Sequence, residues 1–130
     1  KKFDANDIEA FLGLLPKDIG GVRLRHALEV RNPTFKDPRF FQIARKHGAA
    51  IVFADDDTFP EIDEPTSDFT YVRLMRTKDD VETGYPPADL DRWADRARAW
   101  SARGDVFVYV ISGAKQRNPA AAMTLIERAA

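Results

Sequence analysis

Residues 50–54 read Ala-Ile-Val-Phe-Ala without a polar interruption. A strand written this way is buried on both faces. That belongs to a parallel sheet under helices, because antiparallel sheets usually keep one wet face and alternate. Three further segments fit the same sheet. His26 to Arg31 alternates, placing His26, Leu28 and Val30 on one face and Ala27, Glu29 and Arg31 on the other. Phe69 to Met75 and Val106 to Ile111 are rich in aromatic and β-branched residues, which suit a pleated surface.

The segments around these strands read as one-faced helices. In the first, Asp4 is the predicted N-cap, Asp7 lies in the first turn and Phe3 is placed to staple onto Ile8. Ile8, Phe11, Leu12 and Leu15 form its apolar stripe, and Pro16 with Gly20-Gly21 is read as its end. A second helix opens at Asp37-Pro38 and stops at Gly48, burying Phe40, Phe41, Ile43 and Ala44. A third runs from Pro86-Pro87 to about Arg103, burying Leu90, Trp93, Ala97 and Trp100, with Gly104 as its stop. Asn118 is read as the cap of a fourth, with Pro119 in its first turn. Asp55 to Asp68 is an acidic loop with no helical pattern, and Arg76 to Tyr85 is a polar loop.

The order is α-β-α-β-loop-β-α-β-α. Alternation of this kind argues for a parallel α/β sheet. Four such strands admit a small open sheet or half of a closed barrel. One-faced helices and a helix as first element favour the second. The expectation is a single α/β domain, residues 1–130, forming half of a (β/α)8 barrel. The opening Lys1-Lys2-Phe3, with no initiator Met so close to a helix start, reads as a cut chain. The expected partner is therefore the missing half or a second copy of the chain.

Composition excludes several functions. Basic and acidic residues number 20 and 21, for a net charge of −1, so no nucleic-acid or membrane-surface role is indicated. There are no cysteines, which removes disulfides, thiolate metal sites and Cys nucleophiles and suits a reducing cytoplasm, the expected location. No apolar run approaches the ~20 residues that cross a bilayer.

Several stretches carry a resemblance. RHALEVRNPTF (Arg25 to Phe35), DFTYVRLMR (Asp68 to Arg76), DLDRWADRARAW (Asp89 to Trp100) and VFVYVISGAKQRNPAAA (Val106 to Ala122) stand in one order at one spacing. So does the opening KKFDANDIEAFLGLLP. Together they resemble the YecE-like family, the domain of unknown function 72, over essentially the whole chain. The resemblance implies a barrel of ~250 residues, of which this would be the C-terminal half and the missing partner the N-terminal half, and implies no established activity. The chain departs from the commoner pattern twice. Many members read Tyr-x-Arg-x-His-Gly on the third strand, where Met75 and Arg76 stand here. Many carry Asn-Asp after the last strand, where this chain has Ser112-Gly113.

In barrels the site lies at the C-terminal strand ends. Glu29 and Arg31 share a face there and interrupt an apolar strand. Charged residues inside a sheet are costly unless paired. They read as a carboxylate acid/base, Glu29, with Arg31 and Arg73 of the third strand holding an anion, or as a structural ion pair shared with Arg73. Asp55, heading the Asp55-Asp56-Asp57 run, is a second catalytic candidate that would orient substrate or hold a divalent cation through its oxygens; turn chemistry is the plainer reading of the run, and no metal site is assigned. The strand-to-helix loop offers Ser112, Lys115, Arg117 and Asn118 as an anion cradle at a helix N-terminus, or as an ordinary loop with two solvated cations.

His26 lies on the face opposite Glu29 and His47 in the last turn of a helix, so neither reads as a base. Ser112 lacks a nucleophile-elbow context. Trp93 and Trp100 read as core. No cofactor is expected. The functional expectation is a barrel that binds or transforms a small anionic metabolite, phosphate or carboxylate. The alternative is a non-enzymatic adaptor whose charged interior is architectural.

Overall fold

A computed structural model describes all 130 residues. Helices α1 (Ala5–Leu14), α2 (Pro38–His47), α3 (Pro87–Ser101) and α4 (Asn118–Ala129) alternate with short strands. These are β1 (Asp18–Ile19), β2 (Val22–Arg23), β3 (Ala27–Leu28), β4 (Ala50–Ile51), β5 (Phe53–Asp55), β6 (Phe69–Leu74) and β7 (Asp105–Val110). β4 and β5 are two parts of one run joined at Val52. Its first part pairs in parallel with β3 and its second part in parallel with β6, while β6 pairs in parallel with β7. The Val52 N–H donates to the Leu28 carbonyl, so the run stays tied to β3 across the join. The sheet order is therefore β3, β4/β5, β6, β7, with strands sequential in the chain.

The helix starts follow their chemistry. The Asp4 side chain accepts from the Asp7 N–H at 3.0 Å, and the Asp37 side chain from the Arg39 N–H at 2.9 Å, each satisfying a donor that has no intrahelical partner. Gly48 ends α2 in a left-handed turn (φ 66°). The first expectation to fail is the role of Gly20-Gly21. α1 stops at Leu14, and the glycine pair instead turns a two-residue hairpin between antiparallel β1 and β2, both glycines at positive φ.

All four helices pack on one side of the sheet. Two cores lie between them, divided within the β4/β5 run. Ile51 joins Phe35, Phe40, Ala44 and Ile62 under α1 and α2. Phe53, two residues on, joins Val72, Leu74, Leu90, Trp93 and Trp100 under α3 and α4. Phe53 is 1% exposed and meets Trp93 edge-on and Trp100 tilted, at centroid separations of 5.8 and 5.2 Å. The buried alanine of α3 is Ala94; Ala97 is only partly covered. Between α3 and β7 the chain passes through Gly104, whose backbone (φ 145°) lies against the Asp68 carbonyl at the start of β6.

The opposite face carries no helix. Ala27, Glu29, Val52, Tyr71, Arg73 and Tyr109 are among the residues of a concave surface of about 580 Å³ there. No helix of the chain is long and apolar enough to cross a membrane.

Candidate functional site

Alternation decides which side chains meet. Glu29, Arg73 and Tyr109 fall on the bare face, Asp55 on the helical side with Phe53. The two tentative catalytic carboxylates thus occupy opposite faces of the sheet.

On the bare face, Arg73 pairs with Glu29 two strands away. The run between them offers only Val52 and Ala54, small side chains that leave room for a guanidinium to cross. Arg31 binds the other Glu29 oxygen at 3.2 Å and lies over the Phe59 ring at 4.7 Å. Glu29 and Arg73 are mostly buried, and Arg31 is largely exposed. The sharing of Glu29 by Arg31 and Arg73, expected from sequence as a possibility, is thus present, and the trio carries one surplus positive charge. Below it, Tyr71 and Tyr109 stack at 5.1 Å. Arg25 pairs with Asp105 at 3.0 Å and its guanidinium sits about 5 Å from the Phe69 and Phe107 rings.

On the helical side, Asp55 is 3% exposed and fully engaged. One oxygen accepts from Arg76 (Nε at 3.1 Å, the terminal nitrogen at 2.9 Å), the other from the Tyr85 hydroxyl at 2.8 Å. That hydroxyl also accepts from the Arg76 N–H at 3.0 Å. Asp55 holds the half-exposed Arg76 guanidinium firmly protonated. Burial, aided by the Asp55 carboxylate, pushes the Tyr85 phenol far above its ordinary value near 10. A group whose folded pKa is raised contributes stability that is present below its unfolded pKa and lost as pH rises past it. Stability should therefore fall above about pH 10, and Tyr85→Phe should flatten that slope. Comparing ultraviolet titrations of the parent and Tyr85→Phe should show that the ionisation step lost in the variant lies well above pH 10.

The aspartate run divides its work. Asp56 accepts from the Thr58 and Phe59 N–H groups, a turn that lowers its pKa, with the Thr58 contact first in weight. Asp57 is exposed and reaches Arg76 at 3.4 Å. No group of three His, Asp or Glu converges in a metal-binding cluster.

The predicted anion cradle is differently built. α4 begins at Asn118 with no side-chain cap. Asn118 instead donates to the Ser112 carbonyl and accepts from the Thr77 hydroxyl at 2.6 Å. Thr77, buried and unmarked in the sequence, also binds the Ala114 N–H, closing the loop onto the end of β6. Ser112 takes a left-handed φ of 61°, and Gly113 beside it lies against Thr77. Arg117 binds the Asp79 carbonyl at 2.9 Å. The Lys115 carbonyl accepts from the Asn118 N–H, and its exposed side chain has no acidic partner. His26 is held by the Pro16 carbonyl at 2.8 Å and His47 lies by Glu9. Both stand away from the Glu29 cluster, as expected.

A family model described as protein of unknown function DUF72 matches residues 1–130. The chain belongs to the DUF72 family. Two solved DUF72 structures share its fold. One, from Thermotoga maritima MSB8, is 17% identical with a TM-score of 0.70 over 98% of this chain and 52% of that one. The other, from Enterococcus faecalis V583, is 15% identical with a TM-score of 0.66 over 94% and 51%. This DUF72 chain thus spans about half the length of the structures it matches. No curated protein matches it.

Proposed function

We propose that this DUF72 chain forms the C-terminal half of an eight-stranded β/α barrel and binds a small anionic metabolite at the C-terminal ends of its strands. One contact supports the barrel. Arg25, just ahead of β3, reaches Asp105 at the start of β7, three strand positions away. In a flat sheet with strands ~4.8 Å apart, that separation is roughly 14 Å, beyond the combined reach of an arginine and an aspartate. Curling toward the bare face brings them together, and a closed barrel has that curl.

The observation that carries the anion reading is the pairing of two guanidinium groups with one carboxylate. The surplus charge sits at the end of an apolar concave surface, where a phosphate or carboxylate is held by charge-assisted hydrogen bonds. Arg31, exposed over Phe59, would exchange its Glu29 contact for such a ligand, and Glu29 is the carboxylate that lies nearest to it. Asp55 acts through Arg76 rather than by touching the ligand. Lys115 adds long-range attraction at the rim, while Ser112, Arg117 and Asn118 shape the loop. An enzyme and a binding protein would share this arrangement.

Titration calorimetry with inorganic phosphate and with oxalate tests the reading. Arg73→Ala should weaken binding by roughly tenfold or more, the loss of a charge-assisted contact of about 1.5–3 kcal/mol, and leave the melting temperature near that of the parent. A variant that melts earlier, on a parent that binds neither anion, would support the second reading: a non-enzymatic adaptor in which these charges are architectural. The complete internal pairing of Glu29 and Asp55 favours that alternative.

A further inference from the structure

A second gathering of cations lies at the other end of the sheet from Glu29 and Arg31. Lys17, Arg23, His26, Arg45, Lys46 and His47 line one cavity of about 610 Å³. His26 stands just ahead of β3 and Gly48 shortly ahead of β4, so the cavity opens at the N-terminal ends of the strands. Asp18 is the only acid in its wall, and Leu24 the only large apolar side chain. The two histidines, far apart in the sequence, thus share a site that neither marks alone.

Local bonds hold the two stretches of chain together. The Leu24 N–H donates to the Lys17 carbonyl at 2.8 Å and closes the base of the β1–β2 hairpin. The Ala50 N–H donates to the His26 carbonyl at 2.9 Å and ties the end of the α2 turn to the same segment. The His26 ring donates from Nε2 to the Pro16 carbonyl at 2.8 Å, since a carbonyl only accepts.

The cations keep most of their donors. The Arg45 fork stays 3.9 Å from Glu64, beyond hydrogen-bond reach. Arg23 uses one terminal nitrogen on Asp68 at 3.1 Å, and Lys46 binds Glu9, which His47 also approaches at 3.2 Å. Lys17 is exposed and its side chain has no acidic partner. Glu9, Glu64 and Asp68 lie outside the cavity wall. Their bridges are solvent-exposed, and bridges of that kind hold a cation only weakly. A multivalent anion inside the cavity can therefore take the remaining donors of several cations together.

We propose that this cavity binds a small polyphosphate, either a free oligophosphate or the di- or triphosphate group of a nucleotide. A single phosphate or carboxylate is too short to engage cations from both stretches, whereas linked phosphates carry charge along their length. Arginine forks match phosphate oxygens two at a time, and lysines act as point charges. The polar wall gives an apolar ligand nothing to pack on. No carboxylate of the Glu29 or Asp55 clusters lines the cavity, so the ligand is held there rather than transformed. The proposal depends on neither the barrel nor the Glu29 site.

Titration calorimetry with sodium tripolyphosphate, on the parent and on Arg73→Ala, tests it. The expected result is saturable binding that survives in Arg73→Ala and weakens as salt is raised. Lys17→Ala with Arg45→Ala should lower the affinity by roughly tenfold or more, the loss of two charge-assisted contacts, at unchanged circular dichroism, because both side chains are exposed. Arg92→Ala with Arg103→Ala removes the same charge from an exposed surface elsewhere and should change little. An equal loss from that second pair would reduce the effect to diffuse attraction and overturn the proposal. Absence of binding to a folded Arg73→Ala would overturn it too, while phosphate bound by the parent would still speak for the Glu29 site. Adenosine triphosphate separates the two sources: tighter binding than tripolyphosphate assigns the cavity to a nucleotide, and equal binding assigns it to a free oligophosphate.

Discussion

Phe53→Ala should destabilise the chain by about 3–5 kcal/mol, the range for emptying a buried aromatic site. Phe53 is the residue on which the larger core closes. It is almost wholly inaccessible, it touches both tryptophans of α3, and the Arg96 guanidinium sits 4.5 Å from its ring. Truncation removes ring contacts to three side chains together. The neighbours have little freedom to collapse into the space, because Trp93 and Trp100 lie two turns apart on one helix. Small domains have only about 5–15 kcal/mol to lose. A urea unfolding midpoint read by circular dichroism should therefore fall steeply. A shift worth under 1 kcal/mol would mean that α3 slides to refill the site.

Gly104→Ala should be comparably severe for a different reason. A Cβ at this position would stand 2.0 Å from the Asp68 carbonyl oxygen, far inside any real contact. The obstacle is backbone at the start of β6, which cannot swing aside as a side chain would. The φ of 145° adds a conformation that residues with a Cβ rarely adopt. Relief requires β6 and β7 to part at the end where Phe69 pairs with Asp105. The expected loss is at least about 3 kcal/mol, one or more for backbone strain and the rest for the displaced strand. Hydrogen exchange should locate it, with protection lost first at the start of β6 and β7. Loss confined to α3 would contradict this account.

Local chemistry carried most of the fold into view. Asp37-Pro38 and Gly48 bracket α2 because capping and a left-handed stop are decided within a few residues. The apolar run at 50–54 marked the innermost strand because burial on both faces allows no polar residue. Mixed α/β architecture and family followed from such elements. Reading failed where one short motif served two uses: Gly20-Gly21 suits a helix end as well as a hairpin, and only the β1–β2 pairing decides.

The site was less legible because its contacts are long-range. Glu29, Arg31 and Arg73 were found by polarity in an apolar context, and alternation placed them together. Asp55 was marked as a strand-end candidate, but its partner Tyr85 comes 30 residues later, and no periodicity links them. Asn118 has the chemistry of a cap and is used instead to tie Thr77 to the Ser112 loop. A side chain with several possible acceptors declares its choice only when the loops are in place.

The division of the interior within one strand has an experimental consequence. Both tryptophans lie in the core around Phe53, and the core around Phe40 contains none. Indole emission therefore reports the melting of α3 and its surroundings and is blind to α1 and α2. If the two halves come apart separately, a fluorescence transition and a dichroism transition will fail to superimpose, and the gap between them measures how strongly the join at Val52 couples one half to the other.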